Sequence, residues 1–465
     1  MNRREFIHSG MGLLGMAAAP GLMGCATTPM FAPREETVVV IGAGVAGLAA
    51  AQGLQAAGYR VIVLEAQDYI GGRVMTDYSL GAPVELGASR LHGTKKNQLV
   101  PLLEKAGVQY EPVDWGSLSG MESDGTPMDE KRLSRAQGEL MQMFVRAFIR
   151  NIGKTEDQSI ENIVKNEIAR VNPSSSEYKI WNFALTSGEL FNASPLTEAS
   201  WKFARENESA PGGDQFITNG YDRLPKLMAA GLDIRTDTVV KKIDYDRKPV
   251  RLETNKGALR ADRVVLTVSL GVLQSQGIDF SPALPIEKQE VIGRMGMGTL
   301  NKIILRYPEP FWPTDKHAIV HGVDVRGKYA AFVNLIRYTG HPILVGMVPE
   351  SYRGALDDVP DADVFREAHA VLQGMYGRRI PEPTGLLRTQ WKSNPYMRGA
   401  FSYNKLGAFG KDRDVLAEPL NDCLFFAGEA THRRRFGSVN GAYLSGLRTV
   451  DEILTLSTAS MPNLT

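Results

Sequence analysis

Gly42, Gly44 and Gly47 give the spacing GxGxxG, and an acidic residue, Glu65, stands 23 positions after the first of them. This set acts through what its glycines omit. Gly42 allows a tight turn, Gly44 lets bare backbone approach a pyrophosphate, and Gly47 lets a helix lie close to a sheet, while an acid at the position of Glu65 accepts ribose hydroxyls. Ala46 belongs to the same turn. A second chemical signal is Lys302, an ammonium inside the run LNKIILR, which otherwise alternates as a strand. Either its stem snorkels to solvent or the charge has a particular partner, because a buried ammonium without one is costly.

Elements that could position these residues surround the glycine turn. Val38–Ile41 form a short apolar run that reads as a buried parallel strand. Ala43–Ala57 read as a helix whose N-terminus faces the phosphates, Gly58 as its C-terminal cap and Val61–Leu64 as a second strand ending in Glu65. Strand, turn, helix and acid together favour dinucleotide binding over a chance glycine-rich turn in another α/β protein. Residues 94–215 are mostly helical in pattern, with helical spacing over Gln137–Ile152. Ala261–Leu273 reads as a buried strand.

The 465 residues are too many for one ordinary core, so two domains are expected. With 53 basic and 52 acidic residues the net charge is +1. No basic patch argues for nucleic acid. No metal-ligand pattern is read. Cys423 lies in an apolar run as a core residue, so cysteine usage does not fix a redox compartment. The first 35 residues read as an address: Arg3 and Arg4 precede the moderately apolar stretch Met11–Met23, which ends in LMGC at Leu22–Cys25. This predicts export through the twin-arginine machinery, a lipid anchor at Cys25 and a place on the periplasmic side of a bacterial membrane.

The pattern LEAxxxxGGR at 64–73 followed by ELGAxxxHG at 85–93 resembles the flavin-containing amine oxidase family. Further blocks fall at Met295–Trp312, Trp391–Tyr403 and Leu424–Val450, and they are closest in motif to polyamine oxidases. The resemblance implies an α/β fold in which a Rossmann-type FAD-binding domain (36–93, 217–293 and 386–456) interleaves with a mixed sheet-plus-helix substrate domain (94–216 and 294–385), ending in a tail at 457–465. It implies oxidation of a small-molecule amine, with spermine or spermidine favoured, by hydride transfer to flavin N5 and reduction of O2 to peroxide. Cofactor contacts are expected from Gly42, Gly44, Ala46, Gly47, Glu65, Gly72, Arg73, Ser89, Arg90, Val240, Gly428, Glu429, Ser438 and Val439. Ala400 stands where monoamine oxidases place a flavin-linking cysteine, so FAD is expected to be non-covalent.

The resemblance also assigns the catalytic end. Lys302 would hold a water against N5, Trp391 would lie beside the flavin, and Phe401 and Tyr403 would form one wall around the substrate amine. His92 could bond a distal amine in its neutral form, or simply close a turn. Arg90 suits a carboxylate and would repel a polycation; it carries the rival reading, an L-amino-acid oxidase. A further rival is a flavin-binding protein without oxidase turnover. Glu189 aligns loosely with an acidic substrate residue of plant-type polyamine oxidases. His432 and Arg433–Arg435 read as a solvated loop, and Asn440 replaces a common histidine of the closing motif.

Overall fold

The computed structural model describes residues 34–459 except 123–124, 152–155, 172–174 and 204–205. Five strands form a sheet in the order Leu424–Phe426, Arg263–Leu266, Thr37–Ile41, Arg60–Leu64 and Asp233–Arg235, each parallel to its neighbours. Their apolar runs do not alternate because both faces are covered. On one side lie the helices Val45–Ala56 and Val439–Ala459. A Cβ on Gly446 would come within 2.3 Å of Ala46 O, so this residue sets how closely the two helices approach. Burying Leu48 and Leu54 fully contributes about 1.5–3 kcal/mol each, which fixes the helix behind the glycine turn.

A second, six-stranded sheet runs Gly385–Arg388, Leu300–Arg306, Ile343–Pro349, Ala331–Asn334, Ala318–His321 and Leu118–Met121. Leu300–Arg306 was expected to alternate, yet its first six residues are all buried. Ile303 and Leu305 pack with Val364 and Leu372 of the helix Asp361–Tyr376, whereas Ile304 packs with Leu80 and Val84 on the opposite face. The strand expected over Ala261–Leu273 is also shorter. It spans Arg263–Leu266, after which Ser269 caps the helix Leu270–Gln274, its Oγ accepting from Val272 N at 3.2 Å. The helices Glu130–Asn151, Ile160–Val171 and Ser175–Asn192 follow one another before the first sheet resumes. Among the described residues no helix is long and apolar enough to cross a membrane.

Candidate active site

The C-terminal ends of the parallel strands open onto a cavity of about 450 Å3. Ile41 leads to Gly42, Leu64 to Glu65, Leu266 to Thr267 and Phe426 to Gly428, and all four of these residues line it. This is the crevice in which open α/β sheets bind ligands. Gly42 adopts φ +105°, and a Cβ there would sit 2.5 Å from Thr267 Oγ1, which donates to Ile41 O at 2.8 Å. A Cβ on Gly47 would meet Gly42 O at 1.9 Å, so its absence lets the helix start beneath the turn. Gly44 is different: nothing lies within 4 Å of where its Cβ would be, and the empty space belongs to the cavity. Glu65 is buried and accepts from Ala43 N at 2.7 Å and Gln67 N at 2.9 Å. Burial raises its pKa, and those bonds pull it back.

Arg73 reaches the cavity wall and donates through Nη1 to Ala400 O at 2.9 Å and Glu429 Oε1 at 3.0 Å. Burial pushes the Glu429 carboxyl up. Arg73, Ser402, Arg413 and Gly437 N outweigh that effect and hold it below its usual range. Glu429 therefore fixes Arg73 and also the turn ahead of the C-terminal helix, accepting Gly437 N at 2.7 Å. Ser438 and Val439, at the start of that helix, line the cavity.

At the other end stands Lys302, only 7% exposed, whose Nζ donates to Glu85 O and Gly87 O at 2.7 Å each. An ammonium has three donors. The third has no protein partner among the described residues, and Lys302 lines the cavity. Burial lowers the Lys302 pKa, the charge on Glu85 raises it again, and Arg90 pushes it down. Burial raises Glu85, whose carboxylate is held by Tyr221 N and Thr76 Oγ1 at 2.8 Å. Beside Lys302, Asn301 Oδ1 accepts from Trp391 N and Thr389 Oγ1 at 3.1 Å, anchoring the backbone of Trp391 at the cavity wall. Phe401, Ala400 and Leu300 complete this end.

Arg90 and His92 share a short strand, Arg90–His92, that pairs antiparallel with Asp214–Ile217. His92 lies opposite Asp214, and its Nδ1 is 3.0 Å from Asp214 Oδ1. Arg90 Nη1 is 3.9 Å from the other carboxylate oxygen, and the guanidinium stands 4.9 Å from the Trp115 ring and 5.0 Å from the Phe191 ring. Burial raises the pKa of Asp214, but the bond to His92 and the charge of Arg90 bring it below the ordinary value. A second cavity of about 300 Å3 adjoins the first and shares His92, Phe191, Phe401, Gly437 and Ser438 with it.

The cavity thus brings together Gly42, Gly44, Ala46, Glu65, Gly72, Arg73, Ser89, Arg90, His92, Val240, Lys302, Trp391, Phe401, Gly428, Glu429, Ser438 and Val439. Gly47 is a packing position behind it. Tyr403 does not line it. Two residues along the strand from Phe401, about 7 Å on, it faces the adjoining cavity, its ring over the backbone of Gly296 and its hydroxyl donating to Glu198 at 3.2 Å. Glu189 is fully buried and bonded to Ser351 and Leu196 N, so it is no cavity residue. In the loop after Thr431, Arg433 and Arg434 are exposed, but Arg435 lines the adjoining cavity and His432 Nδ1 accepts from Arg434 N and Arg435 N. Sequence reasoning missed Asp214, Thr267 and Asn301. Only Asn301 carried a signal, as the neighbour of Lys302.

A family model described as flavin containing amine oxidoreductase matches residues 45–454. Polyamine oxidase 2 of Arabidopsis thaliana is 34% identical over 442 residues, which cover 90% of this chain and 88% of that protein. Lysine-specific histone demethylase 1 homolog 2 of Oryza sativa subsp. japonica is 33% identical over 455 residues, 93% of this chain but 59% of that protein. The chain spans 54–62% of the length of this and two further plant demethylase homologues. A putrescine oxidase double mutant with redesigned cofactor binding shares the fold at a TM-score of 0.71 and 21% identity, covering 91% of this chain and 100% of that one. The expectation of a bacterial periplasmic lipoprotein is corrected by these relatives. They are polyamine oxidases and histone demethylases of plants and human, and they lend no support to twin-arginine export, a lipid anchor or the periplasm. Arg3, Arg4 and Cys25 lie outside the described residues.

Proposed function

The chain belongs to the flavin-containing amine oxidoreductase family, and on that premise we propose that it oxidises a polyamine with non-covalent FAD and O2. One observation carries the reading: a single cavity joins the dinucleotide turn to Lys302, Trp391 and Phe401. The residues fit the cofactor. The open space at Gly44, the fixed guanidinium of Arg73 and the helix start at Val439 suit phosphates and an anionic ring edge. Glu65 and Val240 suit the adenosine end. Ala400 offers no sulfur for a covalent link. FAD, when bound, supplies the electron sink that takes hydride from the carbon beside nitrogen and passes the electrons to dioxygen.

The chain's own residues position and polarise. Lys302, anchored by two carbonyls, keeps one N–H toward the cavity to hold a water beside the reacting atoms. Trp391 and Phe401 exclude bulk water and orient the amine. His92, tied to Asp214 through Nδ1, offers Nε2 to the substrate chain. The parallel sheet supports the proposed partition of the chain, since all five strands fall within 36–93, 217–293 and 386–456. In the six-stranded sheet only the edge strand Gly385–Arg388 straddles a boundary of the substrate segments.

Nη1 of Arg90, which has no hydrogen-bond partner among the described residues, favours the rival substrate, an L-amino acid. Asp214 at 3.9 Å already balances much of that guanidinium's charge, and Trp115 and Phe191 hold it against the protein. Anaerobic bleaching of the flavin by spermine, spermidine, putrescine, aromatic amines and L-amino acids, paired with peroxide release in air, tests the reading. Bleaching by spermine, spermidine or putrescine supports it, and bleaching by aromatic amines alone overturns it. Bleaching by L-amino acids alone, or by no compound, overturns it.

A further inference from the structure

We propose that Glu85 is a positioning residue for Lys302: its main-chain oxygen fixes the ammonium at the cavity wall, and its side chain, held as a carboxylate inside the protein, keeps that ammonium protonated. The inference rests on the amine-oxidase reading, in which Lys302 works beside the flavin. Glu85 is buried, and its side chain has two partners. Thr76 stands directly opposite it in the short antiparallel pair Thr76–Asp77 and Val84–Glu85. Thr76 Oγ1 accepts from Asp222 N at 3.2 Å, so its hydroxyl hydrogen is free to donate to Glu85 Oε2 at 2.8 Å, while Tyr221 N donates to Oε1 at 2.8 Å. Both partners donate, and neither carboxyl oxygen donates to an acceptor among the described residues. That setting suits the ionised form.

The backbone around Glu85 is fixed as well. Leu86 N donates to Met75 O at 2.9 Å and Ala88 N to Arg73 O at 3.0 Å, and a Cβ on Gly87 would sit 1.8 Å from Arg73 O. The stretch that carries Arg73 therefore also aims the carbonyls of Glu85 and Gly87 at Lys302 Nζ. The charged groups facing Lys302 are Glu85 and Arg90. Burial and Arg90 both favour the neutral amine, and Glu85 is the group that opposes them. Lys302, Asp222, Tyr221 and Tyr78 face Glu85 in turn. Burial holds both tyrosine hydroxyls neutral by raising their pKa. Asp222 disfavours a charge on Glu85, but it is paired with Lys226 and accepts from Tyr78 Oη at 2.8 Å.

The test uses the flavin-loaded full chain and two readouts that need no amine. Trace labelling by acetic anhydride across pH, read by mass spectrometry of the Lys302 peptide, gives the midpoint at which Nζ loses its proton. Reoxidation by O2 of dithionite-reduced flavin, across the same pH range, reports the use of that charge. Glu85→Gln keeps the shape, since its amide oxygen can accept from Tyr221 N and its nitrogen donate to Thr76 Oγ1, and removes the charge. Both midpoints should move to lower pH by about 1–3 units. Glu85→Asp restores the charge and should bring them back toward the parent. If Glu85→Gln does not fold, Lys302→Met answers instead. Loss of the ammonium raises the Glu85 pKa further, and a carboxyl raised by folding loses stability as pH rises, so this variant's melting temperature should drop relative to the parent between about pH 6 and pH 8. Midpoints unmoved in Glu85→Gln, or moved equally in Glu85→Asp, overturn the inference, as does a melting difference that stays constant over that range. A flavin that no amine bleaches removes the amine-oxidase reading instead, and the labelling midpoint is read independently of it.

Discussion

Lys302→Met separates the electrostatic use of the lysine from its structural use. The parent Nζ donates to Glu85 O and Gly87 O at 2.7 Å, so methionine strands two carbonyls at about 1–3 kcal/mol each. The same change removes a desolvated ammonium whose burial costs several kcal/mol. These effects oppose one another, and the variant should keep its fold and its FAD. Nothing offsets the loss of a positioned charge beside the reacting atoms, which is worth about 2.7 kcal/mol or roughly 100-fold in rate. In stopped flow, flavin reduction by substrate and reoxidation by O2 are followed separately, and at least one should slow by about that factor while the melting temperature moves by only a few degrees. Rates for both half-reactions within threefold of the parent would refute the assignment. The pH dependence has a defined sign. Burial lowers the Lys302 pKa below the ordinary 10.5, so the ammonium is lost as pH rises and the dependent rate should begin to fall below that value. Lys302→Arg should move the fall to higher pH.

Gly44→Ala should fold like the parent and lose FAD, because its Cβ meets cavity and no protein atom, whereas Gly47→Ala should lose folded yield, its Cβ lying 1.9 Å from Gly42 O; thermal melts and flavin absorbance distinguish them. Acid precipitation should release the yellow colour into the supernatant, and colour retained in the pellet would rule out non-covalent FAD. Arg90→Trp should preserve polyamine turnover. If it instead abolishes oxidation of an L-amino acid by a parent that ignores polyamines, the carboxylate reading takes over.

What could be read in the sequence was local. Gly42, Gly44 and Glu65 lie within one strand-turn-helix-strand unit, so their spacing is their geometry. Lys302 was legible because a charge in an apolar run needs a partner, although the partners, two carbonyls more than 200 residues away, were not. Asp214 meets His92 only through strand pairing across 122 residues, and no spacing encodes that. Tyr403 was misplaced because its motif gives the strand but not where the strand leaves the cavity.

The central claim is tested most directly by mixing the anaerobic, flavin-loaded protein with spermine, spermidine, putrescine or an L-amino acid while recording the flavin absorbance. The account predicts that the oxidised band bleaches within the time of steady-state turnover and returns on admitting air, with release of one peroxide per amine oxidised. A band that stays unchanged with every amine and bleaches with an L-amino acid would contradict it.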